Sequence, residues 1–226
     1  MGVCVLTPNF GEYVFFNDPP EYARKVMEFH LVYDGNLLRP QQSGNRRVWE
    51  KHAIRGFLSP QLKRLWETHP ALKSYASRTV EIDENGNRLD PPKPFLDHLA
   101  DWHKVHDLRI IPITTDGNGL VCSLDILFLI PEPRVIESGD IDNRLKTLVD
   151  ALKKPKPGTI QKKTNDPPDP NPMYCLMEDD KQVTGLAIKT DRLLYSMDGG
   201  QHDAIAVIRV TTAQIDPFGS PWELHL

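Results

Sequence analysis

The chain has 226 residues, of which 39% are hydrophobic and 26% charged, and this composition argues against wholesale disorder. Its formal net charge of −4 argues against a dedicated nucleic-acid binder, which is usually basic, although the basic residues are unevenly distributed. No stretch approaches the roughly 18 consecutive apolar residues of a membrane span, so we expect no membrane partner.

The first part of the chain is predicted to form an arm, a strand and two helical regions. Residues 1–24 have weak periodicity and several prolines, so they are interpreted as an N-terminal arm. Residues 27–33 have the composition of a strand. Residues 48–66 predict helical segments with a restart at the Ser-Pro pair at 59–60, because serine caps helices and proline is tolerated at the first helical position. Residues 94–106 place apolar side chains on one helical face.

A β-hairpin is predicted in the middle of the chain. Residues 108–114 and 120–130 are strand-like, and the intervening Asp-Gly-Asn-Gly at 116–119 is a strong turn signal. Apolar residues of 120–130 occur on both faces, which predicts a central strand that is covered on both sides.

The next part of the chain is predicted to hold a helix, a long insertion and two strands. Residues 142–153 carry an apolar stripe at helical spacing. Residues 153–176 are rich in proline, lysine and aspartate, and proline removes backbone donors. This insertion is therefore expected to stay out of the helix and out of the sheet. Residues 182–190 and 203–211 predict a final pair of strands.

The order of these elements predicts a single domain of the α+β (α/β) class. A mixed β-sheet flanked by helices would span residues 25–212, and a C-terminal tail would follow at 213–226. The three cysteines are an odd number at wide spacing, which argues against a disulfide framework. Together with the lack of a secretory signal, this indicates a reducing, cytoplasmic location.

Two acidic segments have the pattern most typical of a metal site. Asp140 and Asp142 lie two residues apart where the chain enters the predicted helix, so both carboxylates can face one side. Asp179 and Asp180 precede a predicted strand, where a loop can bring them to the same place. Magnesium prefers oxygen ligands and keeps several waters, which leaves positions for a phosphate. Lys146, one turn after Asp142, is placed to stabilise charge during phosphodiester hydrolysis.

A purely structural interpretation of the same residues is also open. Asp142 is a good helix N-cap, and Asp140 can cap the helix or simply be solvated. Adjacent aspartates such as Asp179 and Asp180 are common in turns. Spacing alone therefore does not decide between a metal site and a solvated, hydrogen-bonded loop.

Three separated pieces of the chain resemble, in order, the signature of the RusA family of Holliday junction resolvases. They are Asp140-Ile141-Asp142-Asn143-Arg144-Leu145-Lys146, then Asp150-Ala151-Leu152, then Glu178-Asp179-Asp180-Lys181-Gln182-Val183. The resemblance is tight over residues 138–190 and extends in outline from strand 27–33 to strand 203–211. It is absent for residues 1–24 and for the tail.

The resemblance implies a small, homodimeric, magnesium-dependent endodeoxyribonuclease that cuts four-way DNA junctions and is encoded by a bacterium or a phage. By position, it implies that the catalytic residues are Asp140, Asp142, Lys146 and Asp180. It implies in the same way that the metal ligands are Asp140, Asp142, Asp179 and Asp180, with Mn²⁺ able to replace Mg²⁺. Two departures from the family, the long insertion and the acidic net charge, put the preference for junctions in doubt.

Basic residues around the motif are candidates for contacts with DNA phosphates. They lie near the start of the first helical region, in the motif helix and in the insertion: Arg46, Arg47, Lys51, Arg144, Lys153, Lys154, Lys156, Lys162 and Lys163. The alternative is a solvated helical face for the first group and a solvated linker for the insertion. His98, His103 and His106 are interpreted as helix-surface histidines, because only some of them have the spacing of metal ligands.

Three functions are compatible with the sequence. The first is a structure-selective endonuclease that acts on branched DNA. The second is a non-catalytic DNA-binding relative of the same fold. The third is a nuclease of the same fold that acts on invading or ordinary duplex DNA. Intact acidic residues favour an enzyme, because a protein that only binds has no need to hold like charges together.

Overall fold

The computed structural model describes residues 3–6, 13–16, 24–37, 45–82, 88–130, 140–160, 169–194 and 203–215. Within these stretches the chain forms four α-helices, which are α1 (Asn45–Thr68), α2 (Pro70–Ala76), α3 (Phe95–Trp102) and α4 (Asp140–Leu152). The strands of the same stretches are β1 (Val3–Leu6), β2 (Tyr13–Phe16), β3 (Arg24–Asn36), β4 (Thr79–Ile82), β5 (Arg88–Pro94), β6 (Ile110–Thr114), β7 (Leu120–Ile130), β8 (Met173–Met177), β9 (Val183–Arg192) and β10 (Asp203–Gln214).

The main sheet has six strands in the order β1-β2-β9-β7-β10-β3. β7 is central, since it pairs in parallel with β9 and antiparallel with β10. This confirms the central strand predicted at 120–130 and the strands predicted around β3, β9 and β10. The last two strands do not pair with each other but flank β7. The molecule is therefore an α+β domain with a mixed sheet, as predicted.

The N-terminal segment contributes two strands to this sheet, although the sequence analysis predicts only an arm there. β1 and β2 pair antiparallel, and β2 pairs antiparallel with β9. Both strands consist of apolar residues, many of them β-branched or aromatic, which favour a pleated backbone. Each strand is only four residues long, so the apolar pattern is too short to stand out from its surroundings.

The hairpin predicted from the Asp-Gly-Asn-Gly turn is wrong. β6 pairs in parallel with β8 in a separate two-stranded sheet, whereas β7 belongs to the main sheet. The turn itself forms, because the Asn118 side chain accepts hydrogen bonds from the backbone N–H groups of Thr115 and Leu120. The same side chain donates to the carbonyl of Ile113. The chain therefore turns as expected but passes from one sheet to the other.

α1 runs without a break through Pro60, so the predicted helix restart is wrong. Ser59 is buried, and its hydroxyl oxygen accepts a hydrogen bond of 2.9 Å from the backbone N–H of Tyr174 in β8. Gln61 contacts β3, an edge strand of the main sheet: its carboxamide accepts from the Val32 N–H at 3.0 Å and donates to the Val32 carbonyl at 2.7 Å. α1 therefore joins β8 to the edge of the main sheet.

The insertion predicted at 153–176 stays outside the sheets only in part. Residues 173–176 belong to β8, so the prediction is wrong for them. The prolines of the insertion end at Pro172, and every residue of β8 is buried, which allows a strand to form. The backbone N–H of Lys154 donates to the carbonyl of Met177 at 2.8 Å. The chain thus returns to the C-terminal end of α4, and residues 178–180 follow directly.

The apolar core lies between the main sheet and the helices. Leu62 and Trp66 of α1 and Leu148 of α4 belong to one buried cluster with the inner residues of the sheet. Cys122 and Cys175 are buried free thiols. In the part of the chain that the structure describes, no helix is long and apolar enough to cross a membrane.

Candidate active site

α4 begins with the acidic motif and places its polar residues along one face. Asp142, Lys146 and Asp150 follow one another at four-residue intervals, whereas Leu148 is buried. Asp142 and Lys146 are exposed and form no ion pair among the described residues, while Asp150 is half-buried. The backbone of Asp140 begins the helix, but its side chain lies outside the described residues. Its role as a ligand therefore stays a prediction.

The second acidic segment, residues 178–182, follows β8 and is called the acidic turn below. It ends in a short 3₁₀ helix, Asp180–Gln182. The Asp179 carboxylate accepts a hydrogen bond of 3.3 Å from the Lys181 N–H, and the Gln182 side chain accepts one from the Asp179 N–H. This reciprocal capping fixes the backbone of the turn. The Asp180 side chain remains 58% exposed, so its carboxylate is open to solvent.

Lys153 joins the C-terminal end of α4 to the acidic turn. Its Nζ atom lies 2.9 Å from Oδ1 of Asp150 and 2.9 Å from Oδ2 of Asp180. The other carboxylate oxygen of Asp150 accepts a hydrogen bond from Lys51 of α1. Lys51, Asp150, Lys153 and Asp180 thus form a chain of alternating charge, called the charge network below. It holds the acidic turn beside α4, although Lys153 and Asp180 are 27 residues apart in sequence.

The charge network keeps both of its carboxyl groups ionised. A hydrogen bond with the Asp179 carboxyl, followed by the Lys153 ammonium, lowers the pKa of Asp180 to about 2. Burial by itself would raise the pKa of Asp150, but hydrogen bonds from Lys51 and Lys153 outweigh it, and the pKa is lowered. Burial similarly opposes the charge of Lys153, yet its two carboxylate partners raise its pKa. Negative and positive groups therefore alternate at neutral pH.

Arg55 of α1 holds the end of α4. It is only 4% exposed, and its guanidinium donates to the carbonyls of Asp150 at 2.7 Å and Lys153 at 3.2 Å. Carbonyls at a helix C-terminus lack partners within the helix, and a cation there is favoured by the helix dipole. Burial lowers the pKa of Arg55 to about 10, which leaves it charged at neutral pH. No local pattern marks this residue, because its partners are 95 and 98 residues away.

The residues predicted to contact DNA lie in different environments. Arg144 is 4% exposed, so its guanidinium lies in the interior, a placement that does not favour contact with DNA. Lys51 and Lys153 belong to the charge network, Lys154 is partly buried, and Lys156 is exposed. The remaining candidates have side chains outside the described residues, and their contacts stay predictions: Arg46, Arg47, Lys162 and Lys163.

The prediction that the histidines of the α3 region lie on the surface is wrong for His98 and His103, which are buried. The Nδ1 atom of His103 lies 3.3 Å from Nζ of Lys154 and 3.6 Å from Oε1 of Glu178. Burial lowers the pKa of His103 to about 4, although Glu178 opposes this shift. The imidazole is therefore neutral at neutral pH and can accept a hydrogen bond from the Lys154 ammonium.

The fit of the predicted metal can be judged from the carboxylates. Among the described residues, no group of three His, Cys, Asp or Glu side chains could hold a metal ion. Asp142 lies two helical turns, or about 12 Å along the axis of α4, before Asp150, and it is Asp150 that shares Lys153 with Asp180. The carboxylates of Asp179 and Asp180 nevertheless offer oxygen ligands, which suit magnesium. A positive charge, the Lys153 ammonium, already lies between Asp150 and Asp180.

The structure therefore brings some of the predicted ligands together and leaves others apart. Asp179 and Asp180 are adjacent and interact, and Asp180 shares Lys153 with Asp150, a residue that was not predicted to be a ligand. Among the described residues, Asp142 forms no ion pair, and the ion pairs of the acidic turn are made with other residues. The signal that would have pointed to Asp150 is its position two turns after Asp142 on the same helical face.

The chain was also compared with protein-family models, with curated proteins and with solved structures, and no match was found in any of the three. The resemblance to the RusA family thus depends on the three motif pieces in the sequence alone.

Proposed function

We propose that this protein is a magnesium-dependent, structure-selective DNA endonuclease of the RusA type, acting on Holliday junctions or other branched DNA in the cytoplasm of a bacterium. The observation that supports it most directly is the bridge that Lys153 makes between Asp150 and Asp180. The bridge holds the acidic turn beside the C-terminal end of α4, the helix that begins with Asp140 and Asp142. Holding like charges together has no purpose in a protein that only binds DNA, so an enzyme is favoured.

The proposed roles follow from the chemistry of each side chain. Asp140, Asp142, Asp179 and Asp180 would supply oxygen ligands to Mg²⁺ or Mn²⁺. The bound ion would supply polarisation of a phosphoryl oxygen and activation of a water. Lys146, exposed on the same face of α4 as Asp142, would contact the scissile phosphate and stabilise the negative charge that develops on it.

A panel of DNA substrates tests the proposed activity. A four-way junction, a flap and a plain duplex would be incubated with the protein and Mg²⁺ at two salt concentrations. We expect cleavage of branched DNA in Mg²⁺ or Mn²⁺ and none in Ca²⁺, because calcium prefers more ligands at longer distances and would misplace the attacking water. Efficient cleavage in Ca²⁺ alone would contradict the proposed site, and cleavage of plain duplex alone would contradict the proposed substrate.

Substitution of the proposed ligands tests the assignment of residues. Asp180→Asn and Asp142→Asn should each abolish cutting, while binding to a four-way junction persists or becomes tighter because a negative charge near the phosphate is lost. Asp191→Asn, which changes an exposed aspartate on β9, is the matched control and should leave cutting intact. Cleavage at the wild-type rate by either of the first two variants would refute the assignment.

A homodimer is part of the same proposal. Symmetric incision of a four-way junction needs two active sites related by a two-fold axis. We expect light scattering of the protein at micromolar concentration to give twice the mass of the chain. A monomer that still cuts both arms of a junction symmetrically would show that this part of the proposal is wrong.

A further inference from the structure

Gln182 is the buried residue at the end of the acidic turn. Its side chain is 3% exposed, and its carboxamide oxygen accepts hydrogen bonds from two successive backbone N–H groups, that of Glu178 at 2.9 Å and that of Asp179 at 3.1 Å. One oxygen atom thus fixes the conformation of the two peptide groups that lead into Asp180. A change of the backbone at this point would break both hydrogen bonds in a half-buried position, and the Asp179 N–H would lose the partner that Gln182 gives it.

The other end of the same carboxamide ties the acidic turn to the turn that follows β6. The Nε2 atom of Gln182 lies 3.4 Å from Oδ1 of Asp116, while the Asp116 N–H donates to the Glu178 carboxylate at 3.3 Å. Lys181 forms an ion pair with the other oxygen of Asp116. The acidic turn is therefore held on both sides. Its backbone is contacted by the Gln182 carboxamide and by the Thr114 carbonyl, which accepts a hydrogen bond of 2.9 Å from the Glu178 N–H.

A glutamine with a purely structural role would only stabilise the fold. Two features of the position of Gln182 indicate that it also acts on the proposed ligands. Its partners are the peptide groups of residues 178 and 179, next to the proposed ligands Asp179 and Asp180, and the Asp180 carboxylate is thereby held at the Lys153 bridge. Groups that orient metal ligands without touching the metal commonly change metal affinity by roughly 10- to 100-fold when they are removed.

We infer that Gln182 is a positioning residue that sets the affinity of the acidic turn for a divalent cation, without touching the cation or the DNA. The inference rests on the proposed function, because it assigns the cation to Asp179 and Asp180. It differs from that proposal in its prediction for the protein alone: the effect of Gln182 is present before any DNA is bound.

The test is a titration of the DNA-free protein with Mn²⁺, followed by electron paramagnetic resonance of the free ion. Gln182→Met keeps the length of the side chain and removes both hydrogen-bonding atoms, and it should weaken Mn²⁺ binding by roughly 10- to 100-fold. The Mg²⁺ concentration for half-maximal cleavage should rise by a similar factor. Affinity for a four-way junction in the absence of metal should not change.

Two variants serve as controls. Gln61→Met makes the same substitution in a glutamine that holds the backbone of β3, and it should bind Mn²⁺ like the wild type. Gln182→Glu retains oxygens that can accept from the two backbone N–H groups, so it should recover much of the Mn²⁺ affinity. If circular dichroism shows that Gln182→Met does not fold, Gln182→Asn, whose shorter amide cannot reach both N–H groups, carries the same test.

The outcomes separate the two proposals. Wild-type Mn²⁺ affinity in a folded Gln182→Met or Gln182→Asn variant would overturn the role of Gln182 and leave the nuclease proposal standing. Mn²⁺ binding that depends on Gln182, in a protein that cuts none of the DNA substrates, would support the inference and refute the nuclease. Absence of Mn²⁺ binding by the wild type would overturn both.

Discussion

The roles of the lysines near the acidic turn differ because their hydrogen-bond and ion-pair partners differ, although their charge is the same. Lys153 is 12% exposed and contacts two carboxylates, so its removal leaves Asp150 and Asp180 to repel each other. Lys154, the next residue, contacts the buried His103 and the Glu178 carboxylate instead. Two adjacent lysines that look equivalent as DNA contacts in the sequence thus have different partners.

His103 should make the stability of the protein depend on pH. Burial lowers its pKa from 6.5 to about 4, so the unfolded chain takes up a proton at a higher pH than the folded one. The free energy of unfolding should therefore fall as the pH drops from 6.5 to 4, by up to roughly 3 kcal/mol. Urea titrations at several pH values would measure this slope.

His103→Gln should remove most of that slope, because its side chain does not titrate. His30→Gln, which changes an exposed histidine on β3, should keep it. Parallel pH dependence of the wild type and the His103 variant between pH 4 and 6.5 would contradict the assignment of the slope to this residue.

Helix α1 is the element that connects the site to the rest of the fold. It runs for 24 residues and supplies Lys51 to the charge network, Arg55 to the end of α4, Ser59 to β8 and Gln61 to the edge of β3. Lys51, Arg55 and Ser59 follow one another at four-residue intervals and contact α4 and β8, while Gln61 contacts β3. The position of α4 relative to the acidic turn therefore depends on α1, although α1 carries none of the proposed ligands.

Arg55→Met tests the contribution of α1 to the position of α4. The variant loses two hydrogen bonds from a buried cation to the last carbonyls of α4, and we expect the free energy of unfolding to fall by roughly 2–3 kcal/mol. Arg64→Met is the matched control on the same helix. The Arg64 side chain is 75% exposed, so the change should stay within about 0.5 kcal/mol. Equal loss in the two variants, measured by urea unfolding, would show that the Arg55 contacts add nothing.

Elements with a long apolar pattern could be predicted from the sequence, and elements that depend on distant partners could not. The periodicities of α4 and β7 are visible locally, and the turn chemistry at 116–119 correctly predicts a turn. Turn chemistry does not determine which strand β6 pairs with, since its partner β8 comes much later in the chain and Ile110 pairs with Met173. The acidic motif was visible in the same way, whereas Lys153, Arg55 and Gln182 acquire their roles only from tertiary contacts.

The surface through which the proposed nuclease would contact DNA is a property of the whole molecule. With Lys153 and Lys154 engaged in internal contacts, the insertion offers Lys156, Lys162 and Lys163 as its remaining basic residues. If these bind phosphates, changing all three to alanine should weaken junction binding and lower the slope of log Kd against log salt by about 2–3. Fluorescence anisotropy at several salt concentrations would measure both effects.

The control for that measurement is Lys73→Ala with Lys104→Ala, which changes two exposed lysines outside the insertion and outside residues 46–64. It should leave the slope unchanged. A triple variant with the wild-type slope would show that the insertion is a spacer. The contacts should then be sought along residues 46–64.

The carboxamide of Gln61 has a consequence for how copies of this chain can meet. It offers Val32 one acceptor and one donor, the same two groups that a residue of an adjoining strand would offer. At that position β3 is already paired, so an incoming strand cannot extend the sheet there without first displacing Gln61. Gln61 thereby opposes open-ended extension of the sheet along β3. A second copy of the chain that paired with β3 across a two-fold axis would first have to displace the Gln61 side chain.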